Sequence, residues 1–164
     1  SDLTALLSRA KEAGALTMAD MVLDQSQMSL EDIAGAMKHL DYLVPSYHEA
    51  SYFTGKDSPE EIADEFHRRG VGTVVLKMGA QGVFASSEGR TYRVGTIADR
   101  VVDTLGAGDN FVAGFITGIV DGKSMEEALY FGSAASAIAI SQYGASGAIK
   151  SKQQVQDYLD AHRK

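Results

Sequence analysis

The sequence predicts an α/β fold, a three-layer sandwich of helices about a mostly parallel sheet. Two observations carry this: short apolar or β-branched runs alternate with amphipathic helical stretches, and capping residues or glycines punctuate the helices. Length is the third. At 164 residues the chain can bury a real hydrophobic core as one domain spanning 1–164, and no repeat, low-complexity tract or linker divides it.

The elements follow in order. "SDLTALLSRAKEAG" reads as an amphipathic helix ending near Gly14, and "ALTMADMV" as a buried strand. "LDYLVPS" gives the next strand, stopped by Pro45, which has no N–H for a ladder; "SYHEASYFTG" is a helix ended by Gly55. "DSPEEIADEFHRRG" has the fullest punctuation, with Ser58 as N-cap, Pro59 at the first helical position, Glu61 completing a capping box and Gly70 past the end. "VGTVVLKMG" is a β-branched strand, and "GVFASSEGRTYRVG" reads as two strands joined through Glu88-Gly89. Further on, Phe111, Phe115 and Ile119 share one helical row and Val112, Ile116 and Val120 an adjacent one, which predicts a wide, largely buried face. "SMEEALYFGSAASAIAISQYG" starts with a Ser124/Glu127 capping box and continues with small residues that admit close packing against backbone or ligand. "SKQQVQDYLDAHRK" predicts a surface helix.

Composition narrows the function classes. Hydrophobic residues at 45% and charged residues at 23% are ordinary for a globular chain, and without a long apolar run or signal-like start the expectation is a soluble, cytoplasmic protein. There is no cysteine, which excludes disulfides, thiolate metal sites and a cysteine nucleophile. A net charge of −7 disfavours nucleic acid and anionic membranes as partners, because no basic field displaces their counterions. His39, His48, His67 and His162 show no ligand spacing and read as surface residues.

"DTLGAGDNF", residues 103–111, concentrates the chemistry. Gly106, Ala107 and Gly108 leave their N–H groups unshielded, and consecutive N–H groups at a helix N-terminus form an anion hole. Such preorganised donors suit the charge on a phosphoryl group in transfer, and Asp109 is placed to take a proton from an attacking hydroxyl. The same aspartate also complements the helix dipole, a role worth roughly 0.3–1 kcal/mol by itself.

The "DTLGAGD" stretch resembles the C-terminal signature of ribokinase-like (PfkB) carbohydrate kinases, D-T-x-G-A-G-D, and the resemblance extends from the strand near Ala19 to the small-residue helix. It implies a ribokinase-like sandwich of which this chain is the C-terminal, nucleotide-binding and catalytic half. It further implies that Asp109 is the general base toward a sugar hydroxyl, while the N–H groups of Gly106, Ala107, Gly108 and Asp109 receive the γ-phosphate of ATP. Asp103 and the Leu105 carbonyl, with backbone oxygens near Ala139, Gln142 and Gly144, would hold a monovalent cation, K⁺. Asp103 reads equally as a turn residue bonding local N–H groups.

Upstream, "VLKMGAQG" resembles the family's nucleotide loop. Gly79 and Gly82 would let it approach the ATP phosphates and ribose, with Lys77 adding a positive charge, although G-x-x-G also serves a strand-to-strand turn. "PSYHEA" stands in the place of the family's N-x-x-E motif: Glu49 would support the Mg²⁺ and phosphate water network, and Ser46 replaces the asparagine beside the nucleotide with a shorter side chain. Ser46-x-x-Glu49 is at the same time a capping box. Ser133 would face the adenine, while its neighbours Gly132, Ala134 and Ala135 also suit helix packing. Asp20 ends the first strand, facing a cleft or closing a turn.

The resemblance therefore implies an ATP-dependent sugar kinase. Two alternatives stay open: a nucleotide-binding or regulatory module without catalysis, and a kinase for a nucleoside or vitamin-like alcohol. Nothing in the chain resembles the family's N-terminal sugar pocket and lid. The expected partners are accordingly ATP, a small sugar and either the missing half or a second copy, with no activity from the 164 residues alone.

Overall fold

The structure is a computed structural model that describes residues 2–23, 29–144 and 147–163. The contacts fall into two compact units, Ser1–Met78 with Phe84–Arg93, and Gly79–Val83 with Val94–Lys164.

The first unit carries helices α1 (Asp2–Glu12), α2 (Leu30–Met37), α3 (Tyr47–Thr54) and α4 (Pro59–Arg68). Its strands are β1 (Met18–Ala19), β2 (Tyr42–Leu43), β3 (Thr73–Lys77), β4 (Val83–Ser87) and β5 (Arg90–Val94), of which only the end residues Val83 and Val94 belong to the second unit. They form one sheet in the order β1-β2-β3-β4-β5. The pairings β1–β2 and β2–β3 are parallel, in the registers Met18 to Tyr42 and Leu43 to Val74. Val74, Val75 and Leu76 are fully buried, which explains their uninterrupted apolar run: a parallel strand covered on both faces has no polar side to alternate with. β4 and β5 are joined as expected through Glu88 (φ 50) and Gly89 (φ 73), two consecutive positive φ angles that match the right-handed twist of a hairpin.

Ile62, Ala63 and Phe66 of α4 turn inward to a core shared with Met37, Leu76 and Phe84. The helix begins at Ser58 and Pro59 as expected, but its capping box is not reciprocal: Ser58 Oγ accepts from Glu61 N–H and donates to Glu60 instead of Glu61. Three other expectations need correction. α2 lies in a segment assigned to no element, although Ser29 and Asp32 form a capping box there. β1 is two half-buried residues rather than a buried strand through "ALTMADMV", and Leu16 and Val22 are exposed. His67 is half-buried and fastened, Nδ1 to the Val71 carbonyl and Nε2 to Ser86 Oγ, each at 2.9 Å.

The second unit contains α5 (Ala107–Val120), α6 (Met125–Ile140) and α7 (Lys152–His162). α5 and α6 approach through small residues: a Cβ built at Gly114 would lie 2.7 Å from Ala135 Cβ, one at Gly118 would lie 2.8 Å from Ala128 Cα, and one at Gly132 would lie 2.9 Å from the Phe111 carbonyl. Phe111 and Phe115 are buried as expected. The second apolar row is not: Val112 is half-buried, and Ile116 and Val120 are exposed. The glycines explain the difference, because the contact face of α5 runs through Gly114 and Gly118 and is narrower than the apolar pattern. Val155 and Leu159 of α7 pack on Phe131, Ala135 and Ile138 of α6. His162 is half-buried, stacked on Tyr158 and paired with Asp99. No helix among the described residues is long and apolar enough to cross a membrane.

Candidate functional site

The mouth of α5 is built by the backbone. Gly106 caps the helix at φ 75, ψ 5, a left-handed conformation natural to glycine, and its carbonyl accepts from the N–H and Nδ2 of Asn110 at 3.0 and 2.8 Å. Ala107 donates its N–H to the Thr104 carbonyl at 3.2 Å, so this member of the expected anion hole is already engaged. The N–H groups of Gly106, Gly108 and Asp109 have no acceptor among the described residues, as a first helical turn leaves its donors unspent. Asp109 stands exposed beside them, three residues into the cap.

Asp103 ties that mouth to the end of α6. Its Oδ1 accepts from Leu105 N–H at 3.0 Å, the local turn bond, and Oδ2 accepts from Gly144 N–H at 3.0 Å. The Leu105 bond, then the Gly144 bond, hold the carboxyl below the usual aspartate range. The Val102 and Asp103 N–H groups donate to the Ile140 carbonyl at 2.8 and 3.3 Å. Of the residues assigned to a cation, Asp103, Leu105 and Gly144 are thus gathered; Ala139 is buried in α6 and Gln142 is exposed.

Ser133, in the middle of α6, is 8% exposed, and its hydroxyl has no hydrogen-bond partner. An unpaired buried hydroxyl costs roughly 1–3 kcal/mol. Gly79 and Gly82 have positive φ angles of 56 and 85 and are bonded to each other, Gly82 N–H to the Gly79 carbonyl at 3.0 Å. They differ in surroundings. A Cβ on Gly82 would lie 2.0 Å from the Val94 carbonyl, so internal packing already demands glycine there, whereas one on Gly79 would meet nothing within 4 Å.

In the first unit the candidates sit where β1, β2 and β3 end, the edge at which parallel sheets bind ligands. Ser46 caps α3 and forms the full box with Glu49: its hydroxyl and its N–H both donate to Glu49 Oε2. Ser46 and Lys77 are joined by a parallel bridge, with Lys77 N–H donating to the Pro45 carbonyl at 3.0 Å. The Lys77 ammonium is paired with Asp20 Oδ2. The sequence allows Asp20 either a cleft or a turn, because a partner 57 residues away leaves no local signal. Among the described residues no group of three or more His, Cys, Asp or Glu side chains is placed to hold a metal. A cavity of about 370 Å³ opens between the 95–99 loop, Tyr130 and His162, and none of the candidate residues lines it.

Residues 1–152 match the pfkB family carbohydrate kinase model. The chain is 35% identical over 126 residues to ribokinase of Haemophilus influenzae, covering 74% of this chain and 41% of that protein. It is also 35% identical over 145 residues to 2-dehydro-3-deoxygluconokinase of Bacillus subtilis, covering 85% of this chain and 43% of the relative. Among solved structures, Arabidopsis thaliana ribokinase complexed with ribose and ATP superposes with a TM-score of 0.85 at 29% identity, over 96% of this chain and 51% of that one. The chain therefore spans about two fifths of the length of these curated relatives and half of the solved structure.

Proposed function

The chain belongs to the pfkB family of carbohydrate kinases, and from that premise we propose that it supplies the phosphoryl-transfer machinery of an ATP-dependent sugar kinase. The carrying observation is the mouth of α5, where exposed Asp109 stands beside the unspent N–H groups of Gly106, Gly108 and Asp109. In this reading Asp109 accepts the proton of the sugar hydroxyl as its oxygen bonds to the γ-phosphorus and the bond from that phosphorus to the β-phosphate oxygen breaks, releasing ADP. The N–H groups meet the charge on the peripheral phosphoryl oxygens without reorganising, which lowers the barrier. Lys77 and the open side of Gly79 serve the ATP phosphates, and the orphan hydroxyl of Ser133 gains a partner from the adenine.

Mg²⁺ prefers phosphate oxygens, waters and one or two carboxylates over an all-protein cage, so the lack of a three-ligand cluster among the described residues fits an ion that arrives with ATP. Glu49 would meet its water shell through Oε1, since Oε2 is taken by the capping box. Asp103 and its neighbours would hold K⁺ in the same reading, with a carboxylate already oriented by two N–H donors. The protein would work in the cytoplasm, with the remainder of the sugar pocket coming from chain outside these 164 residues.

Asp109→Asn tests the reading. Turnover in the complete protein, rather than in these 164 residues alone, is expected to fall at least a thousandfold, near the upper range for loss of a positioned base, while calorimetry still registers ATP binding. Turnover that survives the substitution rejects Asp109 as the base.

A further inference from the structure

We infer that Asp20 is the positioning residue for Lys77, holding its ammonium across the end of β2 for the nucleotide phosphates; this rests on the nucleotide role proposed for Lys77. The sheet order sets the geometry. β2 lies between β1 and β3, so an ion pair between Asp20, just past β1, and Lys77, at the end of β3, draws the lysine side chain over the intervening strand end. The α3 N-terminus starts there at Ser46, which is itself bridged to Lys77.

Both partners are held from a second direction. Asp20 Oδ1 accepts from Met21 N–H at 2.8 Å, leaving Oδ2 for the ammonium, and the Lys77 backbone is fixed by its N–H bond to the Pro45 carbonyl. The Lys77 side chain is 14% exposed and that of Asp20 33% exposed. A lysine is a point charge on a flexible four-carbon stem and loses much rotamer freedom when it grips a phosphate. Asp20 settles that loss before ligand arrives, and an ammonium with one proton given to Asp20 has two more to donate.

The experiment is a double-mutant cycle on ATP binding. Mg-ATP affinity is measured by calorimetry, with KM and kcat alongside, for Asp20→Asn, Lys77→Met, the double variant and Asp20→Glu in the complete protein. Each single substitution is expected to weaken ATP binding about tenfold, with the loss falling on KM for ATP rather than on kcat. The double variant should lose about tenfold and not a hundredfold, because both substitutions remove one device, and Asp20→Glu should recover most of the affinity. Thermal midpoints of all variants separate this from general loosening of the fold. If Lys77→Met weakens ATP while Asp20→Asn leaves it unchanged or tightens it, Asp20 has no positioning role and the nucleotide role of Lys77 stands. If Lys77→Met changes nothing, that nucleotide role fails, and the inference with it. Fully additive losses also overturn the inference.

Discussion

The Asp103 carboxylate makes two bonds of different reach. The bond from Leu105 N–H closes a turn within two residues; the bond from Gly144 N–H spans 41 residues and ties the start of α5 to the end of α6. Because these bonds favour the ionised form, the folded carboxyl titrates below its unfolded value. Their contribution is therefore complete above the ordinary aspartate range and is lost as pH falls through the lowered folded value. A carboxyl carbon titration by NMR is expected to place the Asp103 midpoint below that of exposed aspartates, with the Gly144 amide losing exchange protection over the same interval. Asp103→Asn should remove that pH dependence, and a midpoint equal to the exposed aspartates would disprove the tie. The turn bond was legible in the sequence, because aspartate bonding two residues ahead is a local habit. Gly144 and the Asp20 pairing with Lys77 were not, since each partner is chosen by the fold and not by spacing.

At the scale of elements, what was legible had a local cause and what was missed did not. Capping residues placed α3, α4 and α6, and the Glu88-Gly89 turn placed the β4–β5 hairpin, because each signal acts on its own backbone. The apolar pattern overstates the buried width of α5, because Ile116 and Val120 match the helical period as well as Phe111 and Phe115 do. The actual face is decided by the glycines that meet α6. Gly114→Ala tests that account. Alanine raises helix propensity by about 1 kcal/mol, but its Cβ would lie 2.7 Å from Ala135 Cβ and 2.9 Å from Gly132 Cα, where neither neighbour can rotate away. Overpacking of this kind costs about 1–3 kcal/mol, so the denaturant midpoint is expected to fall. Val120→Ala, on a side chain 74% exposed, should stay within about 0.5 kcal/mol of the parent. A Gly114→Ala protein as stable as its parent would mean that α5 and α6 are not held at this distance.

For the whole molecule, strand and helix alternation revealed an α/β fold because each element carries its own period. The division into two compact units stayed hidden. The G-x-x-G turn and Val94 fall in the second unit while Phe84–Arg93 between them falls in the first, a partition set by long-range contacts alone. The same scale governs activity. Phosphoryl transfer needs the acceptor hydroxyl held about 3 Å from phosphorus and shielded from bulk water. The candidate residues here address the phosphate, the nucleotide and the proton, and none of them is assigned to gripping a sugar. The curated relatives are more than twice as long as the segment they share with this chain. We therefore expect the 164 residues expressed alone to bind Mg-ATP but to phosphorylate no member of a panel of pentoses, hexoses and sugar acids in a coupled assay. The same panel given to the longer protein should yield a substrate. Steady, Asp109-dependent phosphorylation by the short chain would show instead that its own residues form the acceptor pocket.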